Sequence, residues 1–279
     1  MDIIIAENAG FCFGVKRALE LAARAAEDDS RPVHTLGALI HNPQEVARLE
    51  AQGVHRAESL EEVPSGAMIL SAHGVDPAME AEAKARGLEV IDATCPFVRR
   101  AQDHIRTLAA GGYSVVILGD PAHREVTGLA AHAQGKATIV TSAAEAAALP
   151  FGGKCGLVVQ TTQRPETLRE VVGVLAEQSR ELRVFNTICE ATVKRQESAQ
   201  DLAQQVEVMI VVGGRISANT ARLREICEAT GTSTHHIETA AELDADWLSG
   251  VQRVGVTAGA STPDWVVAEV EARLRELAL

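Results

Sequence analysis

Short apolar runs alternate with amphipathic stretches along the whole chain. The runs Ile3–Ile5, Met68–Leu70, Val115–Leu118, Leu157–Val159, Val208–Val212 and Val254–Val256 are continuous, as strands buried on both faces are. Between them apolar residues recur three or four apart, as in Val98, Ala101, Ile105 and Leu108, which predicts helices with one core-facing stripe. Such alternation predicts an α/β fold with mostly parallel sheets. No proline- or serine-rich linker interrupts the pattern, and the alanine-rich stretch Ala143–Ala148 predicts a short helix.

The pattern repeats. Three segments read strand, cysteine, helix: IIIAENAGFCFGVKRAL, VIDATCPFVRRAQ and VFNTICEATVKRQ. Cys95 and Cys189 are 94 residues apart, as are Gln102 and Gln196. The next strand in each repeat ends in glycine with a polar residue four positions on: Gly37 and His41, Gly119 and His123, Gly213 and Ser217. A third strand runs into a small or polar loop and then a proline, in SAHGVDP, VQTTQRP and TAGASTP. A fourth strand precedes each cysteine, and Ile3–Ile5 is the natural fourth member of the last repeat. The expectation is three similar small parallel-sheet α/β units in a pseudo-threefold arrangement around a central cavity. They span residues 13–95, residues 96–188, and residues 189–279 with the N-terminal strand 1–12.

Ligands of open parallel sheets sit beyond the carboxyl ends of the strands. Three units facing one axis would therefore gather three thiols, several imidazoles and many hydroxyls. Cys12, Cys95 and Cys189 each stand at a predicted helix start, where the dipole favours thiolate, and Pro96 suits the first helical position. Cys155 and Cys227 lack that setting and read as packing residues. No closely spaced cysteine pair marks a structural zinc site or a standard cluster run. Widely separated thiols fit a cubane cluster or a mononuclear site, either with an open metal position. His41, His73 and His123 lie in strand-end loops, where they can bind phosphate, ligate metal or relay protons. The other six histidines read as surface or packing residues. Glu125 is the nearest carboxyl for proton delivery; a helix-start glutamate favoured by the macrodipole explains it equally well. Ser217 and Asn219, Ser261, Thr161 and Thr162 occupy turns whose amides and hydroxyls can cradle a phosphate. Neither GxxxxGK nor GxGxxG occurs.

The formal net charge of −12 and 3% aromatic residues argue against nucleic acid and anionic membranes as partners. No apolar run approaches the ~18 residues of a membrane span, and the N-terminus lacks the basic start of a signal peptide. Five cysteines, an odd number, argue against a disulfide framework. The expected location is the cytoplasm.

The ordered blocks GFCFGVKRAL, GALIHNP, SAHGVDP, DATCPFV, GDPAHREVTG, VVQTTQ, TICEATVKRQ, GGRISANTARL and TAGASTPDW resemble the 4-hydroxy-3-methylbut-2-enyl diphosphate reductase family (IspH/LytB) from about Ile3 to Trp265. The resemblance implies reductive dehydroxylation of 4-hydroxy-3-methylbut-2-enyl diphosphate to isopentenyl and dimethylallyl diphosphates. This is the last step of the methylerythritol phosphate route. It implies a [4Fe-4S] cluster on Cys12, Cys95 and Cys189 with one iron open to the substrate hydroxyl. It implies Glu125 as proton donor and His41, His73, Ser217, Ala218, Asn219 and Ser261 at the diphosphate. His123 and Thr161 would line the pocket, and ferredoxin or flavodoxin would deliver electrons. Four positions depart from the family pattern: Arg124 replaces a common proline, Ala218 replaces a common serine, and Asn186 and Glu190 flank Cys189 where other residues are usual. A non-redox dehydratase using the same open iron, or a redox sensor, remains compatible with the residues alone.

Overall fold

The computed structural model describes residues 1–27, 31–150 and 152–278. Its strands are β1 (Asp2–Ile5), β2 (Val33–Leu36), β3 (Val54–Ala57), β4 (Ala67–Leu70), β5 (Glu89–Asp92), β6 (Ser114–Leu118), β7 (Ala137–Val140), β8 (Lys154–Val159), β9 (Glu181–Phe185), β10 (Val208–Val212), β11 (Ser233–Ile237) and β12 (Arg253–Ala258). Its α-helices are α1 (Phe13–Ala26), α2 (Pro43–Ala51), α3 (Pro77–Ala85), α4 (Pro96–Ala110), α5 (Arg124–Ala131), α6 (Ala143–Ala147), α7 (Pro165–Gln178), α8 (Glu190–Ala203), α9 (Ala218–Ala229) and α10 (Asp264–Leu277).

The strands form three four-stranded sheets in the orders β3-β2-β4-β5, β7-β6-β8-β9 and β11-β10-β12-β1, every pairing parallel. The strand order is the same in all three, except that the fourth strand follows the third in sequence in the first two sheets and comes from the N-terminus in the last. The N-terminal strand completes the last sheet, as Ile3 pairs with Val254 and Ile5 with Val256. Central strands β4, β6, β8, β10 and β12 are buried along almost their whole length. Fully burying each Val, Leu or Ile side chain there contributes roughly 1.5–3 kcal/mol.

Cα-contact density divides the chain into two compact units. One comprises Met1–Val15, His41–Val46 and Glu190–Leu279; the other comprises Lys16–Ile40 and Ala47–Cys189. The first unit holds the sheet containing β1, and its core joins Ile210, Val212, Val254 and Val256 to Val266, Val270 and Leu274 of α10. On the opposite face Leu202 and Ala203 of α8 and Leu223 of α9 meet Met209 and Val211. The second unit holds the other two sheets. There β6 and β8 are covered on one face by Ile105, Leu108 and Leu129 and on the other by Leu168, Val171 and Leu175.

A small residue stands at the same position of each third strand: Ala67, Gly156 and Gly255. A Cβ on Gly156 would meet Leu108 at 2.5 Å, and one on Gly255 would meet Met209 at 2.3 Å. The covering side chains thus press against bare backbone, which a larger residue would prevent.

Candidate active site

The loops at the carboxyl ends of the three sheets are built alike. The glycine ending each second strand extends that sheet by one hydrogen bond: Gly37 N–H to Ala57 O (2.7 Å), Gly119 N–H to Val140 O (2.9 Å) and Gly213 N–H to Ile237 O (2.9 Å). After each third strand a tight turn closes, from Gly74 to Ser71, from Gln163 to Gln160 and from Thr262 to Gly259. Each candidate cysteine then bonds back to that turn. The amides of Cys12, Cys95 and Cys189 donate to the carbonyls of Ala260, Ala72 and Thr161 at 3.1, 3.0 and 3.0 Å, in each case two residues past the strand end. Each cysteine immediately precedes a helix, α1, α4 or α8, and Cys95 with Pro96 forms the N-terminus of α4.

Arginines hold two of these loops. Arg17, on the helix following Cys12, donates to the carbonyls of Thr94 and Asp92 beside Cys95. Arg195, on the helix following Cys189, donates to the Gly10 carbonyl beside Cys12 at 2.8 Å. At Cys189 the Thr187 hydroxyl bonds to the Val159 main chain instead. All five cysteines lie among the described residues and none is disulfide-bonded. Cys12, Cys95 and Cys189 are half-buried, whereas Cys155 and Cys227 are fully buried. Burial pushes the Cys155 thiol up and the Cys227 thiol up to about 12. The donor chemistry at the three loop positions therefore suits thiolate ligation, and that of the two core cysteines does not. Among the described residues no three His, Cys, Asp or Glu side chains stand close enough to share one metal ion. Thiolates of a cluster bind separate irons and need not meet at a single ion.

The second unit brings together His73, His123, Glu125, Thr161, Cys95 and Cys189. His123 caps the N-terminus of α5, its Nδ1 accepting the Glu125 amide at 3.1 Å. Nδ1 is therefore the unprotonated nitrogen and Nε2 carries the proton. Burial lowers the His123 pKa, so the ring is neutral near pH 7. Its edge meets His73, the ring centroids lying 5.6 Å apart. Glu125 is 2% exposed. Its Oε1 accepts the Thr161 amide and its Oε2 accepts the Thr161 hydroxyl, both at 2.7 Å. Burial pushes the carboxyl up to about 7 against the pull of those two bonds. Serving the helix amides would be a local task; this carboxyl instead reaches 36 residues along the chain.

The first unit brings together Cys12, His41, Ser217, Ala218, Asn219 and Ser261. Ser217 caps α9 by accepting the Thr220 amide at 3.3 Å, which leaves its hydroxyl proton to donate elsewhere. Asn219 is buried; its Oδ1 accepts the Ala260 amide at 2.9 Å, and among the described residues its Nδ2 has no partner. The Ser261 hydroxyl donates to the His41 carbonyl at 3.0 Å. Gly214 is needed here, because a Cβ would lie 2.6 Å from that same carbonyl.

The departures from the family pattern have local partners. Arg124 pairs with Glu58 at 3.0 Å. Glu190 pairs with Lys194 at 2.7 Å, and Asn186 accepts the Ile188 amide at 3.1 Å. Ala218 fills the first position of α9 with no polar group. Two polar side chains not singled out from sequence also point inward. Gln160 and Asn42 are each 1% exposed, and among the described residues neither Gln160 Nε2 nor Asn42 Nδ2 has a partner. Their signal was an amide next to Thr161 and next to His41.

A family model described as LytB protein matches residues 3–275. The chain belongs to this family. Proteins named 4-hydroxy-3-methylbut-2-enyl diphosphate reductase are similar to it along their whole length. That of Geobacter sulfurreducens is 52% identical over 99% of this chain and 98% of its own, and that of Pelobacter propionicus is 50% identical over 99% of each. A solved structure described as (E)-4-hydroxy-3-methyl-but-2-enyl diphosphate reductase, the terminal enzyme of the non-mevalonate pathway, is 44% identical. It covers 99% of this chain and 100% of its own, with a TM-score of 0.71. The E-1-hydroxy-2-methyl-but-2-enyl-4-diphosphate reductase of Plasmodium falciparum is 28% identical, with a TM-score of 0.93 over 100% of this chain and 88% of its own. Family and fold agree with the reading of the sequence. Among the described residues no helix is long and apolar enough to cross a membrane.

Proposed function

We propose that this chain reduces 4-hydroxy-3-methylbut-2-enyl diphosphate, as the last step of the methylerythritol phosphate route to isoprenoids. One substrate, two electrons and two protons give one isopentenyl or dimethylallyl diphosphate and one water. The allylic C–O bond breaks and a C–H bond forms. The observation that carries this reading is the Glu125–Thr161 pair, a buried acid with a pKa near 7 bonded to a hydroxyl, in a chain whose family members reduce this alcohol.

Cys12, Cys95 and Cys189 would hold a [4Fe-4S] cluster. When bound, it supplies the electrons and an open iron that polarises the substrate hydroxyl. With a pKa near 7, Glu125 carries a proton in a large share of molecules at neutral pH, and Oε2 is the oxygen that faces Thr161 Oγ1. With Glu125 protonated, the Thr161 hydroxyl accepts from Oε2 and turns its own proton toward the leaving oxygen. Proton and hydroxyl then leave together as water, which lowers the barrier to expelling hydroxide. His123, neutral and with Nε2–H outward of its cap, donates to the substrate without adding charge. Ser217, Asn219, the Ala218 amide, Ser261, His41 and His73 bind the diphosphate. Its oxygens satisfy the Asn219 amide, which recovers roughly 1–3 kcal/mol of desolvation. They also lie at the N-terminus of α9, favourable for an anion. Binding at the diphosphate fixes the distant carbon for reaction.

The repeat units behind this assembly are residues 13–95, 96–188, and 189–279 with 1–12. The protein works in the cytoplasm with a ferredoxin or flavodoxin as electron donor. The test is anaerobic purification, reconstitution with iron and sulfide, and assay of reduced methyl viologen oxidation by the allylic diphosphate. The expected outcome is equal iron and sulfide, with one substrate consumed per two viologens oxidised. A protein that takes up no iron, or one that turns over without reductant, overturns the reading.

A further inference from the structure

Two grooves in the second unit meet at Thr94 and Arg99. One, of about 330 Å³, is lined by Arg17, Arg99 and Arg100 with Asp92 and Asp103; the other, of about 80 Å³, continues past Arg106 to His132. Thr94, which precedes Cys95, lines both grooves, and Pro96, which follows it, lines the first. Four guanidinium groups thus gather around one cysteine loop in a chain of net charge −12.

The carboxylates there offset only two of the four. Asp92 pairs with Arg99 and Asp103 with Arg106. Glu80, on the second groove, is held by Lys84 at 2.7 Å. Arg17 donates to two main-chain carbonyls, at 3.2 and 3.3 Å. Arg100 stands over the Phe97 ring, 5.9 Å from its centroid, and is exposed. Burial, and after it Arg106 and Arg99 against the smaller opposing pull of Asp76 and Asp103, pushes His132 down to about 4. Burial first, and then Arg100, lowers His104 against Asp103.

A reductase that takes two electrons per turnover from a soluble carrier must receive that carrier close to its redox centre. An overall charge of −12 repels an acidic carrier except where cations are concentrated. We propose that the groove formed by Arg17, Arg99, Arg100 and Arg106 is the docking surface for a small acidic one-electron carrier protein, which delivers electrons through the Cys95 loop. This rests on the reductase reading above. Each docking passes one electron. Two reduced carriers are oxidised as one C–O bond breaks, two protons are taken up and one water leaves. Complementary charge of this kind acts mainly on the association rate and makes it salt-dependent.

The test uses the anaerobically reconstituted holoenzyme with two reductants, a reduced plant-type [2Fe-2S] ferredoxin and reduced methyl viologen. The variants are Arg100→Glu alone and Arg100→Glu with Arg106→Glu; Arg169→Glu, on the exposed face of α7, is the control. Expected is a tenfold or greater fall in kcat/KM for ferredoxin in both variants, with its salt dependence flattened. The viologen rate stays within twofold of wild type, and Arg169→Glu matches wild type in both assays. Unchanged ferredoxin kinetics, or a salt dependence that persists in the variants, overturns the proposal. So does a tenfold rise in KM for the allylic diphosphate with viologen, which would mark the groove as a substrate anion site. A wild-type enzyme that does not oxidise viologen at all refutes the reductase reading instead, so the two failures are distinct.

Discussion

Thr161 grips the Glu125 carboxyl twice, its amide donating to Oε1 and its hydroxyl to Oε2, both at 2.7 Å. Glu125 comes from the first turn of α5 and Thr161 from the turn after β8, and the same Thr161 carbonyl accepts the Cys189 amide. One residue therefore ties the candidate acid to a candidate cluster ligand.

This pairing fixes a pH dependence. The Glu125 carboxyl titrates at about 7 in the folded chain, above its ordinary value of 4.5. A raised carboxyl stabilises the fold fully below the unfolded value, and that contribution is lost as pH rises through the folded one. The loss between pH 4.5 and 7 is roughly 3 kcal/mol. Turnover falls on the same limb, because the acid must carry its proton. In Glu125→Gln the amide oxygen still accepts from the Thr161 N–H and the NH2 donates to the hydroxyl. Thermal unfolding of that variant is expected to lose the fall in Tm between pH 5 and 7 that Glu125 causes, while kcat drops by ~10²-fold or more. A Tm that still falls across that range would reject the assignment.

Thr161→Val removes one of two bonds that lower the Glu125 pKa. The basic limb of the kcat profile is expected to move to higher pH, and kcat to fall ~10-fold or more as the relay hydroxyl disappears. Thr161→Ser keeps the hydroxyl and should keep both limb and rate within a few-fold. Profiles of kcat against pH for the two variants decide this; a shift to lower pH in Thr161→Val contradicts the structure.

Gly37 makes a separate prediction about stability. Its φ is +70°, and Arg124 Nη1 sits 1.4 Å from where a Cβ would be. Gly37→Ala therefore pays a left-handed strain of roughly 1 kcal/mol and also displaces the guanidinium from its Glu58 partner. Arg124→Ala alone should cost under ~1 kcal/mol, since the Glu58 pair is exposed. The double variant is expected to be less destabilised than the sum of the singles, because the clash is gone. Urea unfolding of all three proteins measures it; strict additivity would show that the side chain does not occupy that seat.

The repeat was legible because its punctuation is local. Gly37, Gly119 and Gly213 end strands, Pro77, Pro96 and Pro165 start helices, and the cysteines keep step with them. Even the fourth strand of the last sheet followed, since Ile3–Ile5 had no other partner in the repeat. What stayed hidden depends on which side chains meet across elements. Glu125 read equally as a helix-start residue until Thr161 was seen on its carboxyl. Gly156 and Gly255 look unremarkable until Leu108 and Met209 press on them. Arg17 is an ordinary exposed-helix letter, yet it holds the loop ahead of Cys95 from 77 residues away. No periodicity in sequence encodes such pairings.

The cysteines give the last prediction, because structure divides them by chemistry. Cys12, Cys95 and Cys189 share one backbone pattern, with amide bound to the turn and thiol half-buried at a helix start. Cys155 lies in the core beneath α7 and Cys227 in the core between α8 and α9, both fully buried. Replacing any of the first three by serine is expected to lower bound iron and the broad visible absorbance of the reconstituted protein severely, with unfolding midpoints of the metal-free chains close to wild type. Cys155→Ala and Cys227→Ala should keep iron, absorbance and turnover; each loses roughly 1–2 kcal/mol of stability as sulfur leaves a packed core. Iron content, visible spectra and urea unfolding of the five single variants separate the two groups. Full iron in Cys95→Ser, or loss of iron in Cys227→Ala with the fold intact, would break the division.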